Sequence, residues 1–147
     1  MKTLKYVAIV LLILIIASFV YIAVQPNSYD LNKTRTINAP AAVIFNNIND
    51  FKKWEAWSPW IEKEPDLQLT YHENTIGVGG SYSWIGKDGK RNMKTISVSP
   101  YDSISQDMQF DNFPPSNIYW TFNKSASGTS VTWGMKSKNT PFLLKFY

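Results

Sequence analysis

From Leu67 to Met135 the chain alternates apolar and polar residues with a period of two, interrupted only by turn signals. Leu67, Leu69 and Tyr71 alternate with Gln68, Thr70 and His72, and Tyr82 and Trp84 with Ser81 and Ser83. Ile96 and Val98 alternate with Thr95, Ser97 and Ser99. Ile104, Met108 and Phe110 share one parity, as do Ile118, Trp120 and Phe122, and then Val131, Trp133 and Met135. Between these segments stand Gly77, Lys87-Asp88-Gly89, Pro100-Tyr101-Asp102, Pro114-Pro115 and Ser127-Gly128, all breakers of regular structure. Successive side chains of a strand point to opposite faces, whereas a helix repeats every 3.6 residues. The pattern predicts about six short strands in an antiparallel meander with one apolar face.

Upstream the period changes. Tyr29 to Ala39 is rich in β-branched residues and reads as a first strand, with Leu31, Lys33, Arg35 and Ile37 on one parity. Pro40 suits the first turn of a helix, and Ala41, Ala42, Ile44, Phe45 and Ile48 follow at helical spacing, which predicts a short helix over 40–49. Phe51, Trp54, Trp57 and Trp60 then recur every three residues until Pro59 interrupts them. That spacing predicts a second short helical or 3₁₀ segment over about 51–58, broken near Ser58. Seven antiparallel strands and two short helices make an α+β domain over residues 29–147. Near its end, Thr140-Pro141 reads as an N-cap and first helical residue, but the apolar residues after it run for less than two turns. A C-terminal helix cut short is the expectation.

The first 28 residues are a separate unit, an anchor and its linker. Tyr6 to Val24 carries no charge, and as a helix these residues extend roughly 28 Å, about one hydrocarbon core. The run is longer than the apolar part of a cleaved signal, and Ile22-Ala23-Val24 makes a poor cleavage site. An uncleaved single-pass anchor is expected. Lys2 and Lys5 precede the span, whereas Asp30 comes before the first basic residue after it, Lys33. The positive-inside rule then predicts a cytoplasmic N-terminus and an extracytoplasmic domain. Gln25 to Ser28 is a short linker in which Pro26 ends the helix.

Composition excludes several classes. The chain of 147 residues has no Cys and one His, so disulfides, thiolate metal sites, cysteine nucleophiles and multi-His metal centres are all absent. Neither a metal nor a cofactor is expected. The leader holds two of the 15 basic side chains, which leaves 13 basic against 11 acidic in the remainder. So balanced a charge argues against nucleic acid as a partner. Residues 29–147 do hold all six Trp, six of the Tyr and seven of the Phe, which suits a large aromatic core or an aromatic-lined pocket.

Individual chemistry-bearing residues read modestly. His72 lies on the polar parity of its strand beside Glu73, and Glu62, Glu64 and Asp66 flank Pro65 with Lys63 among them; both read as solvated. Gly77-Val78-Gly79-Gly80 precedes a strand instead of opening a helix, so it reads as a bend and not as a phosphate loop. Lys87, Lys90, Arg91 and Lys94 surround the Asp88-Gly89 turn. They read as a solvated hairpin tip, or one that touches anionic lipid headgroups. No catalytic residue is assigned.

Several stretches together carry a family resemblance. They are Ile37-Asn38-Ala39-Pro40-Ala41-Ala42-Val43-Ile44-Phe45, Ile48-Asn49-Asp50-Phe51-Lys52-Lys53-Trp54, Trp57-Ser58-Pro59-Trp60, Gly77-Val78-Gly79-Gly80-Ser81-Tyr82-Ser83-Trp84 and Thr129-Ser130-Val131-Thr132-Trp133. The chain from about residue 30 onward resembles the polyketide cyclase/dehydrase and lipid-transport group of the START/Bet v 1-like (SRPBCC) superfamily. That resemblance implies a helix-grip fold, in which a long C-terminal helix lies across a cavity. It also leaves open a second, effector-binding domain beyond this one. The expected function is a membrane-tethered, non-catalytic binding domain for a hydrophobic small molecule or lipid. The alternatives are a cyclase or dehydrase acting in the same cavity, and a ligand-free protein-interaction module. The inward parities place the expected ligand-binding walls at Tyr82, Trp84, Met108, Phe110, Trp120, Phe122, Trp133 and Met135, with Trp57 and Trp60 nearest the mouth.

Overall fold

A computed structural model describes residues 2–24 and 28–137. Helix α1 runs from Lys2 to Val24. Its Leu4–Val24 portion is long and apolar enough to cross a bilayer, and none of that window is buried against the rest of the protein. An all-round apolar surface of this kind suits lipid rather than water.

Seven strands follow: β1 (Tyr29–Ile37), β2 (Gln68–Tyr71), β3 (Ser81–Gly86), β4 (Gly89–Ser99), β5 (Ser103–Phe110), β6 (Ser116–Ser125) and β7 (Gly128–Ser137). They form one antiparallel sheet in the order β1-β7-β6-β5-β4-β3-β2. The meander from β2 to β7 is thus closed at one edge by β1, which pairs with β7 from Tyr29↔Ser137 to Ile37↔Thr129. Between β1 and β2 the chain makes α2 (Ala41–Ile48), a 3₁₀ segment (Phe51–Ala56) and α3 (Pro59–Lys63).

Three helical pieces therefore stand where two were expected. Pro59 ends one and, as the first residue of the next, starts another; its missing N–H is harmless there. The spacing of three is met by a 3₁₀ segment, whose three residues per turn keep Phe51 and Trp54 on one buried face. Asp50 caps it by accepting from the Lys52 N–H at 3.1 Å. The Thr140-Pro141 helix start, its expected truncation and most of the linker (residues 25–27) lie outside the described residues.

The apolar parities converge on the concave face. Ile44, Phe45 and Ile48 of α2, Phe51, Trp54, Tyr82, Trp84, Met93, Ile104, Ile118, Phe122 and Val131 form the buried core. Strand β4 departs from simple alternation. Its pairing with β5 slips between Thr95 and Ser97, so Ile96 is the extra residue of a β-bulge. Thr95 is buried while Ile96 is exposed, and Val98 returns to the core. Grouping Ile96 with Val98 on one face is thereby corrected.

The glycine-rich bend before β3 is tight. Gly77 and Gly79 adopt φ of 64° and 83°, and a Cβ on Gly80 would sit 2.8 Å from the Ile76 N. The loop closes on the bulge, with the Gly79 N–H donating to the Thr95 O and the Thr95 N–H to the Gly80 O, both at 2.9 Å.

Candidate functional site

Register fixes rows of side chains across the concave face. Leu69, Trp84, Arg91 and Phe110 are successive cross-strand partners from β2 to β5. Tyr71, Tyr82, Met93, Met108 and Ser116 form the next row. A third runs through Gln106, Ile118, Met135 and Leu31, and a fourth through Ile104, Trp120, Trp133 and Lys33. A fifth holds Phe122 and Val131. Helix α2 covers the fifth row, where Phe45 meets Phe122 edge-on at 5.7 Å. The 3₁₀ segment and α3 are too short to fill the space over the first rows.

A cavity of about 290 Å³ remains there, at the small end of ligand pockets. Nine of the ten expected wall residues surround it: Trp57 and Trp60 from the helical segment, Tyr82 and Trp84 from β3, Met108 and Phe110 from β5, Trp120 from β6, and Trp133 and Met135 from β7. Phe122 does not. It lies under α2 and borders a separate shallow hollow with Tyr101 and Pro40. Its parity is that of Trp120, but two residues along a strand are about 6.6 Å, enough to carry it from cavity to core. Trp60 is 61% exposed and Trp57 37%, so these two stand at the rim.

Several lining residues escaped the sequence reading. Trp54 roofs the cavity, its indole N–H donating to the Ile48 O at 2.9 Å. Its ring meets Trp57 at 5.1 Å and Trp120 at 6.2 Å, within the range of favourable aromatic pairs. Met93 and Ile118 share the parity of the expected walls, and Ile61, Leu67 and Leu69 close the α3 side. Arg91, Asp88 and Glu64 also line the cavity. Arg91 has the parity of Met93, a signal present in the sequence that its basic neighbours obscured.

Among the described residues two buried side-chain oxygens, Asn49 Oδ1 and Ser125 Oγ, have no hydrogen-bond partner, but neither residue lines the cavity. Gln106 is fully buried; its Oε1 accepts from the Trp120 indole N–H at 3.1 Å, and its Nε2 donates to the Thr95 Oγ1 at 3.4 Å. Tyr71, Tyr82 and Trp84 stack, with centroids 6.0 and 4.9 Å apart. Burial holds the Tyr82 phenol well above its usual pKa, and the Tyr71 phenolate adds to the effect. Tyr71 is raised first by burial and then by its 2.6 Å hydrogen bond to the Glu55 carboxylate. Both phenols stay protonated at neutral pH, so neither is poised as a base. His72 is exposed, and no cluster of three His, Cys, Asp or Glu suited to a metal exists among the described residues. The cavity offers apolar walls and a charged rim, an arrangement for holding an apolar body.

No protein-family model matches the chain, and no curated protein matches it in sequence. Solved structures do. A Mycobacterium smegmatis protein is similar with a TM-score of 0.59 at 21% identity, over 80% of this chain and 77% of that one. A Staphylococcus epidermidis protein gives 0.57 at 19% identity, over 78% and 74%. A protein of the dynemicin biosynthetic locus gives 0.54 at 17% identity, over 76% of this chain and 37% of its own longer chain. At these identities the likeness is one of fold alone.

Proposed function

We propose that residues 29–147 are a helix-grip domain of the START/Bet v 1-like superfamily, tethered to a membrane by residues 6–24, that binds a hydrophobic small molecule or lipid without transforming it. The observation that carries this reading is the cavity of about 290 Å³ walled by Trp, Tyr, Phe and Met on the concave face. Covering that surface with an apolar ligand is favourable at roughly 25 cal/mol per Å².

Topology supports the membrane part. The amino end of β1, the carboxyl end of β7 and the β3–β4 turn lie at one end of the sheet. That end also holds Asp88 and Phe110 of the cavity lining. The rim residue Trp60 is tied to it through Glu64, whose N–H donates to the Trp60 O at 3.1 Å and whose Oε1 accepts from the Lys87 N–H of the β3–β4 turn. Four residues separate Val24 from Tyr29, a link of at most about 18 Å between Cα atoms. The open end of the cavity is thus held close to the bilayer, where an apolar ligand is most concentrated. Lys2 and Lys5 orient the domain to the extracytoplasmic side.

Native mass spectrometry of the full-length protein, released from nanodiscs made with host lipids, tests the reading. A co-purified apolar molecule of constant mass is expected, and it should be lost when Trp133→Ala and Met135→Ala open the wall. A ligand-free protein that also fails to take up a fluorescent fatty-acid probe would refute it. A reporter fused to the carboxyl end that works only in the cytoplasm would refute the orientation.

A further inference from the structure

Among the described residues that wall the cavity, Arg91 is the single cation. Its side chain is only 17% exposed. Its guanidinium carbon lies 5.2 Å from the centroid of Phe110, a cation–π arrangement that fixes the plane of the group. Burial of a guanidinium to this degree calls for a counter-charge, yet the one it has is poor. Asp88 approaches only to 3.5 Å, and its side chain is 81% exposed on the β3–β4 turn, where solvent screens the pair. Glu64, the other carboxylate of the lining, makes no ion pair with Arg91 among the described residues; its Oε1 accepts from the Lys87 backbone N–H at 2.5 Å. Arg91 therefore has donors to spare, in a chamber walled mostly by apolar side chains. Its fork matches the two oxygens of a carboxylate or phosphate.

We propose that the cavity takes an amphiphile with one anionic head, and that Arg91 binds this head while the apolar tail runs inward over Met93 and Met108 toward Trp120. The proposal rests on the apolar-ligand reading above and adds the charge of the ligand to it. Asp88 gives way at small cost because it is already solvated. The cross-strand row supplies the geometry: Arg91 pairs with Trp84 on one side and Phe110 on the other. The Phe110 ring covers the guanidinium on one side, and its low exposure strengthens a bond to an anion.

The intrinsic fluorophores make a direct test. All six Trp lie between Trp54 and Trp133, with none in the anchor, so heavy-atom quenching reports the domain alone. The full-length protein in nanodiscs is titrated at pH 8 with 10-bromodecanoate, 10-bromodecyl phosphate and 10-bromodecanol, with free concentrations set by dialysis against empty nanodiscs. At least one anion should bind about tenfold more tightly than the alcohol, the worth of one charge-assisted contact. Preference for the carboxylate points to a free fatty acid, preference for the phosphate to a phospholipid-type head. Arg91→Gln should erase the preference by weakening the anions about tenfold toward the alcohol, and a urea-unfolding transition like that of the wild type certifies that the variant is folded. Arg91→Lys should keep part of it. Equal binding of anions and alcohol by the wild type would overturn the proposal while sparing the apolar-ligand reading. Loss of all three ligands in Arg91→Gln but not in Arg91→Lys would make the residue structural and also overturn it. Absence of quenching by any of the three would overturn both.

Discussion

Two side chains in the cavity wall show how burial changes what a residue can do. Trp120 offers its indole N–H to Gln106, which is fully buried and has Thr95 as its other partner. Trp120→Phe preserves most of the packing but leaves the Gln106 oxygen without a donor, so a loss of about 1–3 kcal/mol is expected. Adding Gln106→Met removes the stranded group and should recover part of that loss. Urea unfolding followed by Trp fluorescence measures both. Tyr82 gives a pH signature. Burial raises its folded pKa above the unfolded value of about 10. Its contribution to stability is fully present below about pH 10 and is lost as pH rises toward the folded value, because the unfolded chain ionises first. Stability should fall above pH 10 by up to about 1.4 kcal/mol per pH unit from this group, and Tyr82→Phe should flatten that limb. An unchanged slope would mean that Tyr82 is open to water.

Among the elements, β4 bears the clearest mark of its surroundings. Its bulge at Ile96 coincides with the loop of Gly77 to Gly80, whose backbone bonds to Thr95 from both sides. The extra residue turns Ile96 outward and lets Thr95 reach Gln106. Ile96→Lys should therefore change stability by no more than about 0.5 kcal/mol. Val98→Lys, two residues on and packed against the core, should cost about 2 kcal/mol or more. The reverse ranking would place the bulge elsewhere. The helical elements divide the concave face by length. Eight residues of α2 suffice to bury Phe45 against Phe122, whereas the five residues of α3 leave Trp60 exposed and the cavity beneath unfilled.

For the whole molecule the proposed membrane tether makes one end of the sheet decisive. The chain enters β1 from the apolar helix at the end of the sheet that carries Asp88 and the β5–β6 loop with the exposed Phe113. Tyr101, in the β4–β5 turn, is at the other end. Because the chain has no Cys, one introduced thiol carries the only label. An environment-sensitive dye at Phe113→Cys should shift to the blue when the full-length protein enters liposomes, and the same dye at Tyr101→Cys should not. A shift at Tyr101 alone would invert the domain relative to the bilayer. Edge strand β1 adds an open flank: Leu31 and Ile37 share the face of Met135 and Thr129 yet are exposed among the described residues.

Sequence by itself determined what depends on local periodicity. Seven strands, their antiparallel meander, the 3₁₀ spacing of Phe51 and Trp54 and the apolar span of Tyr6 to Val24 all follow from residues a few positions apart. The inward parity also picked out seven strand residues that meet around one cavity, since a pleated strand offers each face every second residue, and the spacing of three added Trp57 and Trp60 at its rim. Tertiary structure decided where along each strand that face is covered. Phe122 left the cavity because α2 crosses its row; Ile96 turned outward because the glycine loop imposes a bulge; Trp54 became a roof because Pro59 restarts the helix beyond it. Arg91 left the hairpin's solvated basic cluster for the cavity wall because register set it between Trp84 and Phe110. Each of these depends on residues distant in sequence meeting in space, and periodicity carries no record of such meetings.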